Sequence, residues 1–278
     1  MALHALGVPG TDVVHRWLQK HVTKRYFFTV PSALSVFGIH ADNYRKLGRP
    51  ARALEFGAGP NLLAALLLSN AGAEVWAFDL HRIARADRVN HIIRQLSGKV
   101  PGNWPEIRDF EDLECLYRIH YVAPGDARAT GLPSGSIDFF YSTSVMEHIP
   151  GRDLVAILRE CKRLASRDAL MSFSIGYWDH YAGVDSSITR MNFFRYNDPV
   201  WRLFNPARQY QNRLRHGDFE RLFEELGFDT LSNERVRGDE RELDVVPLAT
   251  RFRRYSRDDL LTVSGRFLLS PHDSAAPR

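Results

Sequence analysis

From Ala51 onward the chain alternates short apolar runs with longer helical patterns at a regular spacing, and few folds accept that alternation. Arg52–Phe56, Glu74–Phe78, Tyr117–Val122, Ser136–Tyr141 and Ala169–Ile175 read as strands. Between them Asn61–Asn70, His81–Leu96 and Arg152–Ala165 carry helical periodicity, the first stopped by Gly72 and the second by the loop formers Gly98, Pro101, Gly102 and Pro105. Strands separated in this way imply βαβ units and a parallel sheet. Asp218–Leu226 is amphipathic with Gly227 just past its end, the expected helix stop. Phe228–Arg237 and Thr262–Leu269 then read as two closing strands. The prediction is an α/β fold with a seven-stranded, mainly parallel sheet and helices on both faces.

Two regions lie outside that alternation. Residues 1–48 read as a mostly helical cap, with Val13, Val14, Trp17, Leu18, His21 and Val22 at helical spacing and a second short helix over Ser32–Leu47. Residues 176–215 are aromatic and Arg-rich without a clean period, and a segment of that length inside a domain is usually functional, often a lid. The expected division is a helical cap over 1–48, a main domain over 49–270 carrying the lid insertion 176–215, and a flexible tail over 271–278. The cap and the insertion are expected on the ligand side of the sheet.

Composition excludes several classes. Hydrophobic residues are 44% and charged residues 25%, ordinary for a globular protein. The net charge, 37 − 33 = +4, is too mild to argue for nucleic acid by itself. The most apolar run, Leu62 to Leu68, is far short of the ~20 residues that span a bilayer. Two cysteines, Cys115 and Cys161, fit a reducing compartment, and Met1–Gly10 lacks the pattern of a signal peptide. A cytoplasmic protein without a membrane partner is expected.

The sharpest chemical signal is Leu54-Glu55-Phe56-Gly57-Ala58-Gly59-Pro60, at a strand end and opening a helix. Glycines there let backbone approach a ligand at the carboxyl edge of the sheet, beside free helix N–H groups. Asp79, twenty residues beyond Gly59 at the next strand end, has the spacing of an acid that holds ribose hydroxyls. A dinucleotide site wants a third glycine where Leu62 stands, and Glu55 would set negative charge beside a pyrophosphate. The pattern is poor for NAD or FAD and suits a nucleoside ligand with a cationic or amino-bearing arm, S-adenosylmethionine.

Four stretches over residues 51–175 together resemble class I S-adenosylmethionine-dependent methyltransferases of the bacterial small-molecule and sugar type. They are Glu55-Phe56-Gly57-Ala58-Gly59, Phe78-Asp79, Gly125-Asp126-Ala127, and Ser136-Ile137-Asp138-Phe139-Phe140 followed by Ser144-Val145-Met146-Glu147-His148-Ile149. The resemblance implies a Rossmann-like fold and S-adenosylmethionine as cofactor. It further implies that Gly57 and Gly59 line the methionine end, Asp79 holds the ribose, Asp126 with Ala127 meets the adenine, and Ser144 lies beside the cofactor.

The acceptor side is read from fewer residues. Glu147-His148 either anchors the segment after the fourth strand or supplies a base, since His titrates near neutral pH. Some quinone-biosynthesis methyltransferases that this stretch resembles bind a divalent cation through Glu-x-x-Glu-His; Ser144 stands where the first Glu would be, so no metal is expected. Asp179-His180-Tyr181 directly follows the fifth strand. His148 and His180 are the candidate bases, with Glu147 and Asp179 as orienters. Arginines 190, 195, 202, 208, 213, 215 and 221 read mainly as a solvated face, with one or two free to clamp an anion. The aromatics Tyr177, Trp178, Tyr181, Phe193, Phe194, Tyr196, Trp201 and Phe204 read mainly as the insertion's own core, and Arg251-Phe252-Arg253-Arg254-Tyr255 as a solvated turn.

The place after the fourth strand holds Ser142-Thr143-Ser144-Val145 instead of the Pro-Pro-aromatic motif of DNA amino-methylation, and neither cysteine is placed to attack a base. The leading reading is methyl transfer to oxygen or nitrogen of a small acceptor such as a sugar or secondary metabolite. Nucleic acid is not favoured as a partner. An RNA or DNA methyltransferase, and a silent relative that dimerises through the N-terminal helices, stand as alternatives.

Overall fold

The computed structural model describes residues 30–49, 51–183, 185–207 and 210–271. The expected helix near Val13–Val22 and the tail beyond Pro271 lie outside them. Helix α1 (Val30–Arg45) comes first, with Pro31 in its opening turn, where a missing N–H costs nothing. Then follow β1 (Arg52–Phe56), α2 (Leu63–Asn70), β2 (Glu74–Phe78), α3 (Ala86–Ser97), α4 (Glu111–Tyr117), β3 (Ile119–Val122) and β4 (Ile137–Thr143). After β4 come α5 (Gly151–Leu164), β5 (Ala165–Gly176), α6 (Asp198–Phe204), α7 (His216–Glu225), β6 (Phe228–Arg237), α8 (Glu240–Asp244), α9 (Arg257–Leu261) and β7 (Thr262–Pro271).

The strands form one sheet in the order β3-β2-β1-β4-β5-β7-β6. The pairings among β1 to β5 are parallel, and β7 runs antiparallel to both β5 and β6. This is the predicted seven-stranded, mainly parallel sheet. Its order reverses between β1 and β4, so the crevice at their carboxyl ends is where an open α/β sheet binds ligands.

Helices cover both faces. The α2 run Leu63-Ala64-Ala65-Leu66-Leu67-Leu68 is buried throughout, packing with Ala53, Val75, Val89, Ile93 and Phe139 on one face. On the other, Leu154, Leu158 and Leu164 of α5 and Phe219 and Phe223 of α7 meet Phe56, Phe140, Phe173 and Phe267. A third cluster joins Phe193, Phe194 and Trp201 of the insertion to Leu243, Phe252, Leu260 and Val263. No helix among the described residues is long and apolar enough to cross a membrane. Both Cys115, exposed, and Cys161, buried, are free thiols.

Three sequence expectations change. The helix predicted from His81 begins at Ala86, because the Ala84 N–H is taken by the Tyr121 hydroxyl (3.2 Å) and Arg85 is extended. The helix predicted from Asn61 begins at Leu63: Leu62 is left-handed (φ 54°) and the Asn61 side chain accepts from the Leu63 N–H. The segment around Phe252 is not a solvated turn. Phe252 is fully buried against Phe193 and Phe194, which makes it part of the insertion's core.

Helix α1 runs antiparallel to the strands. Near its C-terminus the Tyr44 hydroxyl accepts from the Ala51 N–H (2.9 Å) at the start of β1, while His40 reaches Thr143 at the end of β4. It lies on the sheet face beside α2.

Candidate active site

The turn after β1 is built by backbone geometry. Gly57 and Gly59 adopt φ of 76° and 77°, a region that costs other residues energy. The N–H groups of Gly57 and Ala58 donate to the Phe78 carbonyl (2.9 and 3.2 Å), tying the turn to the end of β2. A Cβ on Gly57 would lie 2.6 Å from Val145 Cγ1, so the glycine lets the segment after β4 approach.

Asp79 is fixed from three sides. Its N–H donates to the Val122 carbonyl, its carbonyl accepts from Gly125, and Oδ2 accepts from the Gly59 N–H at 2.9 Å. Among the described residues Oδ1 makes no hydrogen bond. Burial raises its pKa, partly offset by the Gly59 N–H. Glu55 is almost wholly buried, and burial raises its pKa far more; the nearby Tyr141 hydroxyl acts the other way. Among the described residues, Oε2 of Glu55 and the Tyr141 hydroxyl are buried without hydrogen-bond partners.

Gly125-Asp126-Ala127 follows β3 and a cis Ala123–Pro124 peptide. Arg128 grips Asp126 through Nε (3.0 Å to each oxygen) and Nη2 (2.7 Å) and reaches Asp153, which lowers the Asp126 pKa. Ala127 is half-buried beside the α5-side core. Ser144, exposed and left-handed (φ 53°), ends β4 and donates its N–H to Ser174 of β5.

These features fit S-adenosylmethionine. A glycine turn admits backbone contact, an acid with one free oxygen stands at the strand end where a ribose is held, and a buried carboxyl oxygen lacks a partner. Gly57, Gly59 and Asp79 would hold the methionine end and ribose, with Asp126, Ala127 and Ser144 along the rest of the edge.

A second group gathers residues far apart in the chain. A tight turn, Met146–His148, carries Glu147 and His148, and His180 opens the insertion after β5. One carboxylate oxygen of Glu147 and one nitrogen of each imidazole lie within 4.8 Å of one another. The two imidazole centroids are 4.8 Å apart, and Trp178 lies 4.6 Å from His180. Oε1 of Glu147 accepts from the Gly176 N–H, while Oε2 is buried without a partner among the described residues. Burial pushes the Glu147 pKa up to about 8. Burial lowers His148, and burial with His148 nearby takes His180 down to about 4. Both imidazoles are therefore neutral near pH 7. His148 donates Nδ1–H to the Tyr210 carbonyl at 2.7 Å, which leaves the Nε2 lone pair free.

Asp179 stands apart from this group. Fully buried, it accepts from the Tyr181 N–H and from Asn192, so its contacts tie the insertion together and none reaches the His180 ring.

One short stretch holds this group. The Asn212 N–H donates to the Glu147 carbonyl (2.9 Å), and its side chain to the Met146 and Ile149 carbonyls. Gln211 accepts from the His180 N–H and donates to the Trp178 carbonyl. Next to it, Arg213 and Arg215 are buried staples. Arg215 donates to the carbonyls of Tyr177, Asp259, Leu260 and Thr262, and Arg213 to Phe193, Tyr196 and the Asp198 carboxylate. These two depart from the solvated face expected of the arginines, because their donors complete carbonyls that the insertion buries.

Sequence reasoning missed His40. It is wholly buried between Ser172 Oγ (2.8 Å) and Thr143 Oγ1 (2.7 Å), and burial lowers its pKa to about 3. Its spacing from Asn43, which donates to the same Ser172 hydroxyl, was the available signal: two polar residues on one apolar helix face.

A family model described as a methyltransferase domain matches residues 34–233. No curated protein matches in sequence. Among solved structures, geranyl diphosphate C-methyltransferase from Streptomyces coelicolor, in complex with Mg2+, geranyl diphosphate and S-adenosyl-L-homocysteine, is 13% identical, with 96% of this chain and 88% of that chain covered and a TM-score of 0.53. A Burkholderia thailandensis 1,6-didemethyltoxoflavin-N1-methyltransferase with bound 1,6-didemethyltoxoflavin and S-adenosylhomocysteine is 15% identical over 98% and 91%, at 0.50. A Pyrococcus horikoshii protein is 13% identical over 87% and 91%, at 0.51. Likeness at such identities shows the shared fold.

Proposed function

Because the chain belongs to the methyltransferase-domain family and is an S-adenosylmethionine-dependent methyltransferase, we propose that its acceptor is a small molecule methylated on a hydroxyl or amine. The observation that carries this reading is the wall built by Tyr210, Gln211 and Asn212. It holds the Glu147-His148 turn and His180 together beside the β4 edge. The Streptomyces and Burkholderia methyltransferases, whose bound ligands are small molecules, support the same acceptor class.

Bound at the Gly57–Asp79 edge, the cofactor would supply its sulfonium methyl group to an acceptor lone pair attacking in line, with S-adenosylhomocysteine as the leaving group. The chain itself must hold the acceptor close and take its proton. His148 suits that role, because Tyr210 fixes its tautomer with Nε2 free and the ring is neutral at pH 7. His180 and Glu147 shape the patch around that lone pair, and Asp179 holds the loop that presents His180. Glu55, Gly57, Gly59, Asp79, Asp126, Ala127 and Ser144 are the proposed cofactor contacts, within a methyltransferase domain spanning 49–270.

The test is methyl transfer from labelled S-adenosylmethionine to a panel of small hydroxylated and amino compounds, beside RNA and DNA. Turnover on a small acceptor that His148→Asn lowers at least tenfold supports the proposal. Turnover confined to nucleic acid, with steep salt dependence, overturns the acceptor class.

A further inference from the structure

We propose that Glu147, His148 and His180 form a site for one divalent transition-metal cation, a carboxylate and two imidazoles with the remaining coordination positions open toward the acceptor. Their donor atoms already lie within 4.8 Å of one another. Two donors each about 2.1 Å from a shared ion stand about 3–4 Å apart, so side-chain adjustments of about an ångström or less close the site.

Three features of the surroundings support a ligand there. Glu147 is 4% exposed, and among the described residues its Oε2 is buried with no hydrogen-bond partner. A buried carboxylate oxygen without a partner costs free energy that a cation would recover. Next, the His148 Nδ1–H donates to the Tyr210 carbonyl, the outer hydrogen bond that metal-binding imidazoles usually make and one that directs Nε2 to the ligand. The supports, finally, are specific to this cluster. Tyr210, Gln211 and Asn212 hold all three residues, and a Cβ on Gly176 would lie 2.8 Å from Glu147 Oε1, so the glycine makes room for the carboxylate.

The donor set selects the ion. Two imidazole nitrogens and one carboxylate oxygen suit Zn2+ and its first-row neighbours, whereas Mg2+ and Ca2+ want oxygen shells. The sequence argued against a metal because Ser144 replaces a carboxylate; the third donor comes instead from His180 on the far side of β5. Three protein ligands leave at least one position open. Its occupant rests on the small-acceptor reading, in which a hydroxyl oxygen of the acceptor takes that position; with the cation bound, His148 Nε2 is a ligand instead of the base, and the ion would acidify the hydroxyl so that its proton passes to solvent.

The test uses the full chain, stripped with a chelator and titrated calorimetrically with Zn2+, and separately with S-adenosylhomocysteine. The expected result is one Zn2+ per chain, bound at least tenfold more weakly by His180→Asn and by Glu147→Gln. His91→Asn, an exposed imidazole elsewhere, should leave the isotherm unchanged. Thermal melts of the variants separate loss of a ligand from loss of fold, and Co2+ provides a second readout through visible bands that the same substitutions remove. Absence of Zn2+ binding, or binding that survives both substitutions, overturns the site. Should S-adenosylhomocysteine still bind, that failure concerns the metal alone and leaves His148 as the base; loss of both ligands would strike the methyltransferase site itself.

Discussion

Gly57 and Gly59 share one backbone conformation but face different surroundings, which allows strain and crowding to be measured apart. Their φ values are 76° and 77°, so alanine at either position incurs about 1–2 kcal/mol of left-handed strain. At Gly59 a new Cβ meets nothing within 4 Å among the described residues. At Gly57 it meets both methyls of Val145, with Cγ1 at 2.6 Å and the Val145 Cβ at 3.1 Å. Valine is stiff about χ1, so relief requires moving the backbone after β4, an overpacking cost of about 1–3 kcal/mol. Gly57→Ala should therefore lose about 2–5 kcal/mol and Gly59→Ala about 1–2 kcal/mol. Urea denaturation of both variants, of Val145→Ala and of the Gly57→Ala/Val145→Ala double variant measures this directly. The double variant should recover about 1–3 kcal/mol relative to additivity, because the crowded methyls are gone. Equal losses at the two glycines, or strict additivity with Val145→Ala, would refute the close approach of the two strand ends.

His40 makes stability depend on pH. Its folded pKa, about 3, lies below the unfolded 6.5, so its contribution is complete above pH 6.5 and is lost as pH falls toward 3. By about pH 4.5 the loss should reach about 2–3 kcal/mol, and His40→Gln should flatten that part of the profile in urea titrations; an unchanged slope would contradict the buried neutral imidazole. Arg215→Ala, which strips donors from four backbone carbonyls, should cost about 3 kcal/mol or more, against less than about 0.5 kcal/mol for the exposed Arg221→Ala, as thermal melts would report. Asn212→Ala loosens the turn that presents Glu147 and His148, so kcat should fall about tenfold while S-adenosylhomocysteine affinity, read by calorimetry, stays within about twofold.

What could be read from sequence followed the range of the physics involved. The turn at Gly57-Ala58-Gly59 and the place of Asp79 at the next strand end were legible because close backbone approach needs particular residue types at fixed local spacing. Most strands were legible to within a few residues for the same reason: apolar runs bounded by turn formers have few alternatives. Contacts between distant segments were not. Nothing local marks His180 as the neighbour of His148, or Phe252 as core for Phe193, since those meetings depend on how the insertion folds back over the sheet edge. The buried roles of Arg213 and Arg215 were hidden likewise, because arginine usually lies at the surface and only the carbonyls around these two explain their burial.

On the proposed reading, everything downstream depends on a cofactor held at the carboxyl edge by the Gly57–Gly59 turn and Asp79. Calorimetric titration of the wild-type chain and of Asp79→Ala with S-adenosylhomocysteine decides whether it is held there. Wild-type binding should be weakened about tenfold or more in the variant, whose fold persists in thermal melts, because a hydrogen bond to a charged group contributes about 1.5–3 kcal/mol. Equal binding by the two proteins, or no binding by a folded wild-type chain, would contradict that assignment.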